Sequence, residues 1–201
     1  MKRRDDFLIG PKEKAAEAIK EGKTEDALRY LDEVHNQFHR LHDAYGNTQD
    51  FFMGALAEIK GEEWLVEFDR KRVREFFYKG FQAYKDKSVE ERVKGICDNM
   101  RAHFSEFHVE EDDEKFTVVL TGCNAGGRLL RDGISVRNKA VTKKETPWGF
   151  NKVGFPYYCI HATIFNEIFK ELDLNMEIKW GKQYDDEGNK INEPCQYLIY
   201  K

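Results

Sequence analysis

The sequence predicts an α+β protein, an N-terminal helical half packed on a C-terminal antiparallel sheet that one helix crosses. Three observations predict it. Apolar residues recur at helical spacing up to about residue 105, the period drops toward two from Phe107 onward, and the strand-like segments there are joined by runs of Asp, Glu, Gly and Asn. At 201 residues the chain has the length of one large domain, read here as 1–201 with a helical part at 1–105 and a sheet-plus-helix part at 106–201.

Taken in order, Ala15, Ala16 and Ile19 suit a short first helix that Gly22 ends, and Thr24 is a candidate N-cap for a long second one. There Ala27, Leu28, Leu31, Val34, Phe38, Leu41 and Tyr45 form a stripe expected to be buried, with Gly46-Asn47 as a candidate interruption. Phe51, Phe52, Leu56 and Ile59 continue the pattern, and a helix starting near Glu62 carries Trp64, Leu65, Phe68, Val73, Phe76 and Phe77. Ser88-Val-Glu-Glu91 has the capping-box form, in which hydroxyl and carboxylate each satisfy an orphan amide, so a further helix is expected to run to about Phe104.

Phe107-His-Val109 and the β-branched run Phe116-Thr-Val-Val-Leu-Thr121 flank the acidic turn Glu111-Asp-Asp-Glu114, which predicts a hairpin with a central second strand. Residues 122–155 hold six glycines and no clear period, so they are expected to be an irregular binding loop. Pro156 suits the first turn of a helix whose face is Ile160, Ile164, Phe165, Ile168, Phe169 and Leu172. Met176-Glu-Ile-Lys-Trp180, the turn Asp185-Asp-Glu-Gly-Asn189 and Cys195-Gln-Tyr-Leu-Ile-Tyr200 complete the sheet.

Charge excludes some functions. With 33 Lys+Arg against 37 Asp+Glu the net charge is −4, so no chain-wide positive field exists to gather nucleic acid or anionic lipid. The opening residues, Met-Lys-Arg-Arg-Asp-Asp-Phe, lack the apolar run of a signal peptide, and no stretch has the apolar length of a membrane span. A cytoplasmic protein without nucleic-acid or membrane partners is the expectation, with room for a homo-oligomer. Four widely spaced cysteines, Cys97, Cys123, Cys159 and Cys195, then read as reduced thiols.

Those thiols are the main candidates for chemistry. Cys123 follows the most convincing strand in Thr121-Gly-Cys-Asn-Ala-Gly-Gly-Arg128, where glycines let backbone amides approach a ligand and Arg128 offers a fork to a carboxylate; a strand-to-loop turn with a buried thiol is the alternative. The glycines match no nucleotide fingerprint, so no nucleotide cofactor is expected. Cys159 falls in the first turn after Pro156, where free amides and the helix dipole favour a thiolate, or it is a small buried hydrophobe. His161 lies about 200° further round an ideal helix, so sharing a target with Cys159 requires an irregular turn. Cys195 opens the last strand, and Cys97 reads as structural.

Cys123, Cys159, His161 and Cys195 are ligand types that suit zinc, though no Cys-x-x-Cys pair anchors them. His35, His39 and His42 share a helix face, and His42, beside Asp43, is a candidate catalytic residue; half-exposed histidines bordering an apolar stripe are the plainer explanation. Trp148, Phe150, Phe155, Tyr157 and Tyr158 suit the wall of a pocket for a planar or apolar ligand, Trp148 and Tyr158 above all, or a small core of the loop itself.

Residues 156–201 resemble the C-terminal part of the L-2-amino-thiazoline-4-carboxylic acid hydrolase-like proteins and of the vinyl-reductase-type ligand-binding domains. The resemblance rests on Tyr157-Tyr-Cys159 opening an amphipathic helix and on Cys195-Gln-Tyr-Leu-Ile199, and it covers about a quarter of the chain. The upstream Cys123-Asn-Ala-Gly-Gly-Arg128 and His42-Asp43 are similar to features of the hydrolase-like group. It implies an α+β pocket domain that either opens a cyclic C–N/C–S substrate or holds an aromatic ligand, with zinc in some members. The zinc-binding members carry acidic and cysteine ligands between the two matched cysteines, where this chain has Trp180, Gly181, Lys182 and Tyr184. The leading expectation is a small-molecule hydrolase acting on a C–N or C–S bond, with Cys159 or Cys123 as nucleophile or metal ligand; a non-catalytic ligand-binding or sensor domain is the alternative.

Overall fold

The computed structural model describes residues 9–182, 185, 187, 189–191 and 193–201, so the charged opening residues and Tyr184 lie outside the described residues. The chain divides into two compact units, residues 1–45 and 46–201. The first contains α1 (Pro11–Lys20) and the beginning of α2 (Thr24–Lys60). Pro11 stands at the first helical position, and the Glu13 carboxylate accepts from the Gly10 amide at 3.1 Å. Gly22, at φ +72°, turns the chain from α1 into α2.

Two expectations fail here. Gly46-Asn47 does not interrupt α2, because two weak helix formers cost only about 1–2 kcal/mol against 37 residues of continuous hydrogen bonding. The stripe is not buried either: Leu28, Leu31, Phe38, Leu41 and Tyr45 are exposed while Ala15, Ala18 and Ala27 are buried. A unit this small has too little surface of its own to enclose a full apolar face.

The second unit is α+β. The end of α2 is followed by α3 (Glu62–Gln82), a short 3-10 turn, α4 (Val89–Ala102), β1 (Glu106–Glu111) and β2 (Lys115–Gly122). The Ser88 hydroxyl accepts from the Glu91 amide at 3.2 Å and the Glu91 carboxylate accepts from the Ser88 amide at 2.8 Å, the expected capping box. At the hairpin turn, the Asp112 carboxylate accepts from Lys115 Nζ and from the amides of Glu114 and Lys115, contacts that hold its pKa down to about 2.

The supposed loop 122–155 holds α5 (Gly126–Arg131) and α6 (Ile134–Arg137), helices of six and four residues, too short to display a helical period. Asp50, fully buried in the C-terminal half of α2, anchors them by accepting from Ser135 Oγ at 2.7 Å and Asn138 Nδ2 at 2.9 Å. A 3-10 turn, Tyr157–Cys159, then leads into α7 (Ile160–Glu171), and β3 (Met176–Lys179) and β4 (Cys195–Tyr200) close the sheet. In the expected turn 185–189, Asp186 and Gly188 lie outside the described residues, while the Asp185 carboxylate accepts from the amides of Glu187 and Asn189.

All strand pairs are antiparallel, in the order β1-β2-β4-β3. Ile160, Ile164 and Ile168 of α7 are fully buried in a core with Val118 and Leu120 of β2, Ile178 of β3, Ile199 of β4 and Leu65 and Val73 of α3. Each such side chain contributes about 1.5–3 kcal/mol. A bidentate pair between Arg70 and Glu167, both bonds at 2.9 Å, ties α3 to α7. Among the described residues no helix is long and apolar enough to cross a membrane.

Candidate functional site

Strand register brings three thiols to one end of the sheet. Leu120 of β2 stands opposite Cys195 of β4, so Cys123, three residues on, leaves the sheet beside the start of β4. Lys179 of β3 pairs with Gln196, which puts Trp180 at the same end, and Cys159 is the N-cap of the helix that crosses it. Cys123, Cys159 and Cys195 accordingly line one cavity of about 60 Å³, room for a few water-sized groups. Its other walls include Tyr158, His161, Trp180 and Tyr197, with His103 and Ser105 from the end of α4 and the segment after it.

Gly126 allows the cysteines to approach. A Cβ there would stand 2.2 Å from the Cys159 sulfur, so any larger residue would force that sulfur or α5 to shift. Two of the sulfurs also receive an N–H. The Gly127 amide points at Cys123 Sγ at 3.4 Å and the Gly181 amide at Cys195 Sγ at 3.3 Å, while the Trp180 side chain lines the cavity with Cys159. Cys195 Sγ in turn donates to the Gly181 carbonyl at 3.3 Å.

Burial outweighs those donors. It raises the Cys123 thiol, raises Cys159 well above the ordinary thiol range with neighbouring sulfurs adding to the effect, and pushes Cys195 up to about 12. The expected helix-favoured thiolate at Cys159 is therefore not the resting state: the helix begins one 3-10 turn later than Pro156 suggests, and desolvation dominates the amide field. Burial likewise pushes His161 down to about 4, with His103 adding to the effect. Its Nδ1 lies 2.6 Å from the Tyr158 carbonyl, which only accepts; Nδ1 therefore carries the proton and Nε2 the lone pair. Because the turn before α7 is 3-10, Cys159 and His161 line the same cavity despite their spacing.

The other expected site residues lie elsewhere. Arg128 is buried, donating to the Asn124 carbonyl at 3.4 Å and standing 3.7 Å from Asp132, and it does not line the thiol cavity. Trp148 packs with Phe155 and Tyr157 at ring separations of 6.3 and 6.2 Å and does not line it either. His42 belongs to the first unit, where its Nδ1 is 3.1 Å from Asp43. Tyr158 is in the cavity wall, as expected of a ligand-binding residue.

Trp180, Tyr197, His103 and Ser105 were not predicted for the site. Strand alternation held a signal for two of them, since Tyr197 shares a face with Cys195 and Trp180 shares one with Ile178. Among the described residues no group of three or more His, Cys, Asp or Glu side chains is arranged to hold a metal ion. No protein-family model matches the chain, and no curated protein and no solved structure matches it.

Proposed function

We propose that the second unit is a small-molecule site that engages its ligand through sulfur. The observation that carries this reading is the convergence of three thiols, remote in sequence, on one cavity, with backbone N–H groups directed at the Cys123 and Cys195 sulfurs. A core that merely used cysteine as a small hydrophobe would leave no cavity between them.

Magnitudes favour a binder over a free cysteine nucleophile. With Cys195 at about 12, about one thiol in 100,000 is ionised at neutral pH. Burial raises the Cys195 thiol and lowers His161, so proton transfer from sulfur to this imidazole is uphill. The second reading, hydrolysis of a C–N or C–S bond, is favoured by the N–H groups that would steady a thiolate and by the His161 lone pair. It needs a bound group that takes up the thiol protons. Zinc suits this donor set chemically, through the three sulfurs and His161 Nε2, once the side chains turn together.

Arsenite tests the first reading, since As(OH)₃ condenses with three thiols and releases three waters without redox change. It is expected to bind once per chain, to perturb Trp180 fluorescence, and to weaken at least about tenfold in each of Cys123→Ser, Cys159→Ser and Cys195→Ser but not in Cys97→Ser. Binding unaffected by those three variants would refute it. Elemental analysis of protein purified without a tag addresses the second: about one zinc per chain, lost in the same variants, supports it, and no metal contradicts its zinc form.

A further inference from the structure

A second cavity adjoins the thiol pocket. It measures about 210 Å³ and is walled by six aromatic rings, Phe76, Phe77, Phe81, Tyr84, Phe165 and Tyr197. Asn99 and Tyr197 line both cavities, so the two are neighbours. Burial raises the Tyr197 phenol pKa, with the three sulfurs adding to the effect.

Size assigns each cavity a part. About 150 Å³ suffices for a benzene ring, so the aromatic cavity holds a ring and the thiol cavity, at about 60 Å³, does not. We propose that the two form one bipartite site for a small molecule with an aryl group in the aromatic cavity and a compact, sulfur-seeking head among the thiols. This rests on the sulfur-centred reading above and names the ligand class it implies. Phe76 and Phe77, exposed on α3, form the approach for the ring, and edge contacts among Phe81, Phe165 and Phe169 at 4.8 and 4.9 Å hold the wall in shape.

Gly80 provides the test. Gly80 lines the aromatic cavity and a Cβ there meets nothing within 4 Å, so Gly80→Leu adds volume at the cavity wall with no clash at Cβ and improves the helix propensity of α3 by somewhat less than about 1 kcal/mol. The probes are phenylarsonous and methylarsonous acid, each of which condenses with two thiols and releases two waters, arsenic staying trivalent. With affinities normalised to dithiothreitol, the native chain is expected to prefer the phenyl compound at least about tenfold, and Gly80→Leu to abolish that preference while leaving methylarsonous binding unchanged. Equal binding of both probes by the native chain, or a preference that survives Gly80→Leu, overturns the bipartite site but leaves the thiol site standing. Failure of both probes to bind overturns the thiol site itself. A Gly80→Leu effect on self-association in sedimentation, with the phenyl preference intact, would make the aromatic cavity an interface between copies and also overturn the proposal.

Discussion

The segment from Cys123 to Cys159 has a thiol end and an aromatic end, and the structure uses them differently. At the aromatic end Phe155 is completely buried, with Trp148 and Phe150 at ring separations of 6.3 and 5.8 Å, so those rings fill space for one another. At the thiol end Cys123 and Cys159 face a cavity, and Cys123 Sγ accepts the Gly127 amide at 3.4 Å. Trp180 joins the two, meeting Phe155 edge-on at 5.0 Å and lining the cavity beside the thiols. The aromatic cluster is thus a support for the pocket wall. Residue type alone does not separate support from site; what separates them is whether a side chain is saturated by its neighbours.

The largest expected effect lies at the supporting end. Phe155→Ala should cost about 3–5 kcal/mol in urea unfolding and weaken arsenite binding by releasing Trp180. A full loss of stability with unchanged arsenite affinity would separate the two ends and break the link through Trp180.

Next comes acid. The unfolded chain protonates His161 near 6.5, whereas the folded chain resists until about 4. Below 6.5 the unfolded state therefore binds the extra proton, and stability falls as pH drops toward 4, by about 3 kcal/mol in full. His161→Gln should remove that portion of the pH dependence, measured as the difference between wild-type and variant unfolding free energies at pH 7 and 4.5. An unchanged slope would place His161 outside the desolvated pocket.

Gly126→Ala is expected to cost about 1–3 kcal/mol, because its Cβ falls 2.2 Å from the Cys159 sulfur, and to weaken arsenite binding while leaving the aromatic end intact. Smallest is Trp148→Phe. The Trp148 indole N–H is buried with no hydrogen-bond partner among the described residues, so relief of that unmade bond offsets part of the lost volume. A change within about 1 kcal/mol, with arsenite affinity unaltered, is the expected outcome; a large drop in affinity would move Trp148 into the site.

Much of this fold was legible because its elements carry strong periods: the Ile160, Ile164, Ile168 face of α7 and the β-branched run of β2 are both buried as their patterns require. The short helices α5 and α6 were hidden, since neither completes two turns. In the site, each cysteine could be singled out by its place at an element boundary, but their meeting depends on the β2–β4 register, a long-range property that no local spacing encodes. Arg128 illustrates the converse. A glycine-flanked arginine looks available for an anion, yet its side chain is 5% exposed beside Asp132.

The central claim, that Cys123, Cys159 and Cys195 form one ligand site and Cys97 stands apart, is tested most directly by mapping N-ethylmaleimide labelling of the folded chain by mass spectrometry, with and without arsenite. Arsenite is expected to protect Cys123, Cys159 and Cys195 together, at a single midpoint, and to leave the labelling of Cys97 unchanged. Independent midpoints for the three, or equal protection of Cys97, would contradict it.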